Sequence, residues 1–138
     1  MTQPAYADAE LILAPWLEST LGVRCVTDLP ADLQGEVPLV RVVEVPTGGD
    51  DEPTLDRVRV DIEAFVGPDG NGNPNRAAAK TLGERVRAAM RYQLPGTVFP
   101  TAVAARVDTF MRPTVMPWPD QSLRRVVATY DLILHSRL

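Results

Sequence analysis

The clearest pattern in the chain is a two-residue alternation. Val58, Val60, Ile62, Ala64 and Val66 interleave with Arg57, Arg59, Asp61, Glu63 and Phe65. A period of two places successive side chains on opposite faces of a strand, so one face is predicted to be core and the other mostly charged. Two further alternating stretches follow. Val103 to Arg112 alternates around Val103, Ala105, Val107, Thr109 and Met111, and Arg125 to Ser136 around Val126, Ala128, Tyr130, Leu132 and Leu134. Leu39 to Val45 is apolar on both faces, which predicts a strand covered on both sides, by its own chain or by another subunit. Val23 to Thr27 reads as a short strand. Two stretches carry the three- and four-residue spacing of helices instead. In the first, Ala5 to Leu21, the face is Ala9, Ile12, Leu13, Trp16 and Leu17; Pro15 should bend it and Gly22 should stop it. In the second, Asn73 and Pro74 are the predicted N-cap and first turn, and the helix runs to about Tyr92. Its apolar face is Ala79, Leu82, Val86, Ala89 and Met90, and Pro95-Gly96 ends it.

The resulting order is α-β-β-β-α-β-β. Strands in a run with hairpin-compatible spacings predict an α+β domain, a mostly antiparallel five-stranded sheet with two helices packed on one face. At 138 residues, with 45% hydrophobic and 23% charged positions, residues 1–138 are expected to form a single domain with a real core.

Charge narrows the partners. Fourteen basic residues against eighteen acidic ones leave a net charge of −4, and an acidic surface repels phosphate backbones, so no sequence-specific nucleic-acid partner is expected. All but one of the basic residues (Lys80) are arginines, a bias consistent with a GC-rich genome. Cys25 is the single cysteine, so an intramolecular disulfide is excluded and a buried structural thiol is expected. Met1-Thr2-Gln3-Pro4 lacks the basic-then-apolar order of a signal peptide. No apolar run approaches the ~20 residues of a membrane span, so no membrane partner is expected and synthesis is placed in the cytoplasm.

Candidate chemistry is sparse. Asp69, Asn71 and Asn73 open like a calcium loop, but the sixth position is Pro74 and the twelfth Lys80, where that loop needs Gly and Glu. A plain turn is the better account. His135 is the single histidine, which excludes a triad or a multi-histidine metal site within one chain. Catalytic, cofactor-binding and metal-binding residues are therefore all expected to be none, and the protein not to be an enzyme. The stripe Arg76, Lys80, Glu84, Arg87 and Arg91 on the second helix reads as a solvated face. Two loops are the expected protein interfaces. One runs from Pro113 to Pro119 and carries Val115, Met116 and Trp118; prolines exclude it from a helix or a central strand. Stiff loops bearing Trp and Met lose little entropy on docking, while the competing reading folds Trp118 back over the core. The other is Pro46 to Pro53, with Asp50, Asp51 and Glu52 at its tip.

The run of segments is also familiar as a whole. An opening helix, Ala9-Glu10-Leu11-Ile12-Leu13-Ala14-Pro15-Trp16-Leu17, leads into Val23-Arg24-Cys25-Val26-Thr27-Asp28-Leu29-Pro30. Then come Asp56 to Phe65, the Ala-rich helix with Leu82 and Val86, and a closing strand, Arg124 to Leu134. This order resembles the tail terminator proteins of long-tailed phages of actinobacterial hosts. The resemblance implies a small α+β subunit in a homo-oligomeric, hexameric ring at the head-proximal end of the virion tail. Its partners would be the major tail tube protein, whose polymerisation it halts, and the head–tail connector protein. Such rings close through two different, complementary patches on each subunit. Alternatives are another head–tail connector or tail completion adaptor, a small oligomeric enzyme using Asp61, Glu63 and Asp131, or a ligand-binding module with a deep apolar pocket.

Overall fold

A computed structural model describes residues 7–47 and 55–137. Its elements are α1 (Ala9–Leu21), β1 (Arg24–Val26), β2 (Leu39–Val45), β3 (Leu55–Val66), α2 (Arg76–Ala88), β4 (Ala102–Met116) and β5 (Arg124–Ser136). The order is α-β-β-β-α-β-β, and the five strands form one sheet in the spatial order β1-β2-β3-β5-β4. Every pairing is antiparallel except β1 with β2, which is parallel. The fold is thus the α+β arrangement expected from the alternation.

Both helices start on a side-chain cap. Asp8 accepts from the backbone N–H groups of Glu10 and Leu11 at 3.0 and 3.2 Å, satisfying two donors that the first turn leaves open. α1 continues through Pro15 and stops at Gly22, whose φ of 68° is the left-handed conformation that glycine adopts without a Cβ clash. For α2 the cap is Asn75, which accepts from Ala78 N–H at 3.1 Å; the predicted cap, Asn73, lies two residues earlier. The reason is a turn that claims Asn73 first. The Asp69 carboxylate accepts from the Asn71 and Asn73 N–H groups at 2.9 and 3.0 Å. This is the plain turn expected in place of a calcium loop. After Ala88 the helix widens into one π-helical turn, Ala89–Gln93, closed by Leu94 N–H donating to Ala89 C=O at 2.9 Å. That turn keeps Ala89, Met90 and Leu94 all buried.

The main core lies between the helices and one face of the sheet. Leu13 and Leu17 of α1 and Ala79, Leu82 and Val86 of α2 meet Val40, Val42, Val60, Ile62, Ala128, Tyr130 and Leu132. The helix-side alternation of β3 and β5 is as predicted. In β4 the predicted phase fails in the first half: Ala102 and Ala104 are buried, whereas Val103 and Ala105 face outward. A register shift between Ala104 and Arg106 inserts one residue and flips the faces, so that Val107 returns to the core.

The opposite face is not simply charged. Leu39, Phe65, Leu123 and Val127 are buried yet stand outside the main core. Register places Leu39 beside Phe65 on this face. The Phe65 ring meets Trp118 edge-on, with centroids 4.9 Å apart and planes at 73°. The connection from β1 to β2 comes down beside Trp118, where Leu29 to Gln34 share a depression with Asp120 and Leu123. Gln34 Nε2 donates to Ser122 Oγ at 3.4 Å. The double apolar character of β2 is explained at Leu39 by this second, small cluster; Val43 and Val45 stay half-buried.

Candidate functional site

The expected interface residues are distributed differently from the prediction. Val115 and Met116 are not in a loop. β4 runs on through Pro113 to Met116, with Val115 opposite Val126 and Met116 opposite Arg125. Pro113 is tolerated for two reasons. β4 is an edge strand, and the proline falls in the register shift between Met111 and Thr114, where the ladder does not need its missing N–H. Val115 turns toward the core and packs against it. Trp118 takes the second of its two sequence readings, lying over Phe65 with the Arg125 guanidinium 5.1 Å from its ring centroid. Asp50, Asp51 and Glu52 lie outside the described residues.

Beyond that cluster, the open face of the sheet carries a ladder of paired charges. Glu63, buried, accepts from Arg41 at 2.6 Å and from Arg125 at 3.0 Å. Asp61 accepts from the Thr129 hydroxyl at 2.5 Å. Asp131 takes two hydrogen bonds from Arg59, at 2.8 and 3.2 Å, and the same guanidinium lies 3.7 Å from the centroid of the exposed Phe110 ring. Asp108 stands directly across the ladder from Asp131, a like-charge pairing that costs stability, and Arg106 and Arg91 offset it at 2.9 and 3.7 Å. Asp61, Glu63 and Asp131 thus occupy three separate partnerships and do not converge on one point. Among the described residues, no group of three or more His, Cys, Asp or Glu is placed to hold a metal ion. His135 is exposed near the end of β5. No helix of the described residues is long and apolar enough to cross a membrane.

Cys25 has the expected structural role. It is buried, its Sγ donates to Val23 C=O at 3.4 Å, and its N–H donates to the Glu18 carboxylate at 3.0 Å. Burial, reinforced by Glu18, pushes the thiol pKa up to about 12, which removes the thiolate needed for reactivity. A groove of about 630 Å³ opens where α2 meets the end of β3, lined by Val37, Pro38, Val66 and Leu82 with Arg85 at its rim. The Arg85 guanidinium is already engaged with Leu21 C=O.

What the fold does segregate is charge. In 7–47, which form α1, β1 and β2, seven acidic residues face two basic ones, a balance of −5. In 76–116, which form α2, the π-turn and β4, seven basic residues face two acidic ones, a balance of +5. The strand order puts β1 and β2, with α1 on them, at one edge of the sheet and β4 at the other, while α2, which holds four of the basic residues, lies across β3, β5 and β4 and touches α1. The acidic crowding is strong enough to act on Glu44, whose carboxyl is raised from its ordinary value by desolvation and then by Asp56, Asp8 and Glu10. Exposed apolar side chains divide the same way. Leu11, 68% exposed, lies on the acidic flank beside a groove of about 340 Å³ formed with Pro15, Cys25, Val26 and Asp28. Tyr92, Val98 and Phe110, between 61% and 74% exposed, lie on the basic flank in and beside β4. No local motif marks these flanks; the signal is a charge count over tens of residues. The site rests on its own geometry, because neither protein-family models nor curated proteins match the chain.

Proposed function

We propose that this chain is a structural protein of a long-tailed phage. Its copies close into a ring at the head-proximal end of the tail, stop polymerisation of the tube and present the surface that joins the head. It works by binding and catalyses no reaction; its partners are its own copies, the major tail tube protein and the head–tail connector protein. The observation that carries this reading is the pair of unlike flanks. A ring requires each subunit to offer two different patches, one to each neighbour, and one edge of the sheet is an acidic flank, α1 with β1 and β2, carrying exposed Leu11, whereas the other is β4 with exposed Arg106, Phe110 and Arg112. The order of segments, which resembles tail terminators along nearly the whole chain, supports the assignment to a tail in particular.

The test is genetic. Electron micrographs of a lysate from the encoding phage, with an early stop codon in this gene, should show abnormally long, headless tails beside filled heads. Tails of normal length that fail to join heads would move the chain to the connector or completion class. Intact, infectious particles would overturn an assembly role and return attention to the open face and the grooves.

A further inference from the structure

We infer that the groove between α2 and the end of β3 is a docking site for a segment of another protein, one that presents an apolar side chain with a carboxylate beside it. The groove lies at one end of the sheet, where β2 begins and β3 stops, and not along either edge. The inference therefore goes beyond the ring reading and does not depend on it.

The lining sets the chemistry. Val23, Val37, Val66 and Leu82 give an apolar floor to a space of about 630 Å³. One wall is held close: a Cβ on Gly67 would stand 2.8 Å from Val37 Cγ2, so these two segments touch through a glycine and the groove is formed before anything enters it. The rim consists of donors. Asn75 spends its Oδ1 on the Ala78 N–H, which leaves the N–H bonds of its amide. The Arg85 guanidinium gives one N–H to Leu21 C=O and has no lone pair to offer. Thr81 adds an exposed hydroxyl. Arg85 is the one charged side chain among the described residues that line the groove, and the helix behind it carries four basic residues against one acidic. An occupant must bring apolar surface for the floor and an anionic acceptor for the rim. The shape selects a protein segment. Pro38, Pro68, Thr81 and Arg85 are all exposed and leave the groove open to solvent on one side. Pockets for free small molecules bury ~70–90% of their ligand, whereas a side chain carried on a partner's backbone has its wet side covered by the partner itself.

The experiment is a titration followed by amide-resolved NMR, with N-acetyl-leucine as the carboxylate probe and N-acetyl-leucinamide as its neutral match. N-acetyl-leucine should shift the backbone amides of Val66, Gly67, Ala78, Thr81 and Leu82 and leave the rest of the sheet unmoved. Binding should saturate at millimolar concentration, as about a dozen non-hydrogen atoms allow. The neutral probe should bind roughly threefold to fivefold more weakly, the effect of an exposed ion pair. Arg85→Gln and Thr81→Glu should each remove that preference; both positions are exposed, and a spectrum unchanged outside the groove shows that the variant is folded. No shift at the groove, shifts spread over the whole surface, or equal binding of the two probes to the parent would each overturn the inference. The source of the occupant is read with a photoreactive benzoylphenylalanine in place of Thr81, in cells that express the protein from its native gene, and the attachment point is sequenced by mass spectrometry. Attachment to another protein next to an Asp or Glu supports the inference. Attachment to a second copy of this chain, to a segment without an acid, or to no protein overturns it. The stop-codon phenotype is independent of this result. Long, headless tails with an unoccupied groove leave the terminator reading standing, and an occupied groove with intact particles leaves the docking site and removes the tail.

Discussion

Replacing Trp118 with alanine separates a side chain that serves the fold from one kept free for a partner. The ring is half-buried, sits edge-on to Phe65 with centroids 4.9 Å apart, and lies under the Arg125 guanidinium at 5.1 Å. Half of a tryptophan is about 100 Å² of apolar surface, and at ~25 cal/mol per Å² its removal costs about 2.5 kcal/mol. The edge-on pair adds ~0.5–1.5 kcal/mol, and the guanidinium contact, at a partly exposed site, about 0.5 kcal/mol. Residual burial in the unfolded chain takes back ~10–40% of the area contribution. The net expectation is a loss of about 2.5–4 kcal/mol. Urea unfolding of the purified protein measures it, with Trp16 left as the fluorescent reporter. With a slope of ~2 kcal/mol per molar, the midpoint should fall by roughly 1–2 M. Trp118→Phe, which keeps an aromatic edge over Phe65, should recover part of the loss. A change under ~0.5 kcal/mol at constant slope would refute the reasoning, because the ring would then contribute nothing to the lone subunit.

Three further outcomes follow from single positions. Val60 is fully buried in the central strand, with Glu44 and Tyr130 as its ladder neighbours; Val60→Asp should leave no cooperative unfolding transition, since an unpaired charge there has no partner. Gly83 faces the sheet so closely that a Cβ would stand 2.7 Å from Val126 Cγ1 and 3.2 Å from Pro113 Cβ. Alanine is favoured in a helix by ~0.8–1 kcal/mol over glycine, but overpacking costs ~1–3 kcal/mol, so Gly83→Ala should lower the melting temperature and not raise it. Cys25 should resist thiol reagents at pH 8 in the native protein and react fully in urea. Its folded pKa is raised from 9.0 to about 12, so the unfolded chain loses this proton first and stability should decline as pH rises from about 9 towards 12. Rapid native labelling at pH 8 would contradict the burial argument.

How much of this was readable from the chain depends on how local each signal is. The core faces of β3 and β5 followed directly from alternation because both strands are central and regular. The phase of β4 did not, because a bulge is one extra residue with no sequence mark beyond Ala104-Ala105-Arg106, and it becomes visible only when β5 supplies the register. Pro113 misled for a related reason. It forbids a central strand, and whether it forbids an edge strand depends on which strand ends up at the edge, a long-range fact. The α2 cap was missed by two residues because Asn73 and Asn75 are equivalent as residue types; Asp69, reaching four residues along, decides between them. Trp118 was open between two roles until Phe65, more than fifty residues away, was placed beneath it. The charge asymmetry was present in the residue count all along. Its meaning depended on a strand order that sets the acidic α1–β1–β2 segment at one edge of the sheet and β4 at the other.

The two edges also constrain how copies can meet. An edge strand invites continuation of the sheet by another chain, which would extend without limit as easily as it would close. This sheet discourages that at both ends. β1 is three residues long, and β4 is broken by three register shifts, the last of which holds Pro113. Backbone pairing along β4 is therefore interrupted every few residues, and a contact there has to be made by side chains. The exposed side chains that edge offers are Arg106, Phe110 and Arg112. Side-chain contacts set a definite angle between neighbours, as a ladder of interchangeable hydrogen bonds does not, and a definite angle is what allows a head-to-tail chain of subunits to close. The bulges that guard the edge against aggregation are, in this reading, the same features that make a finite assembly possible.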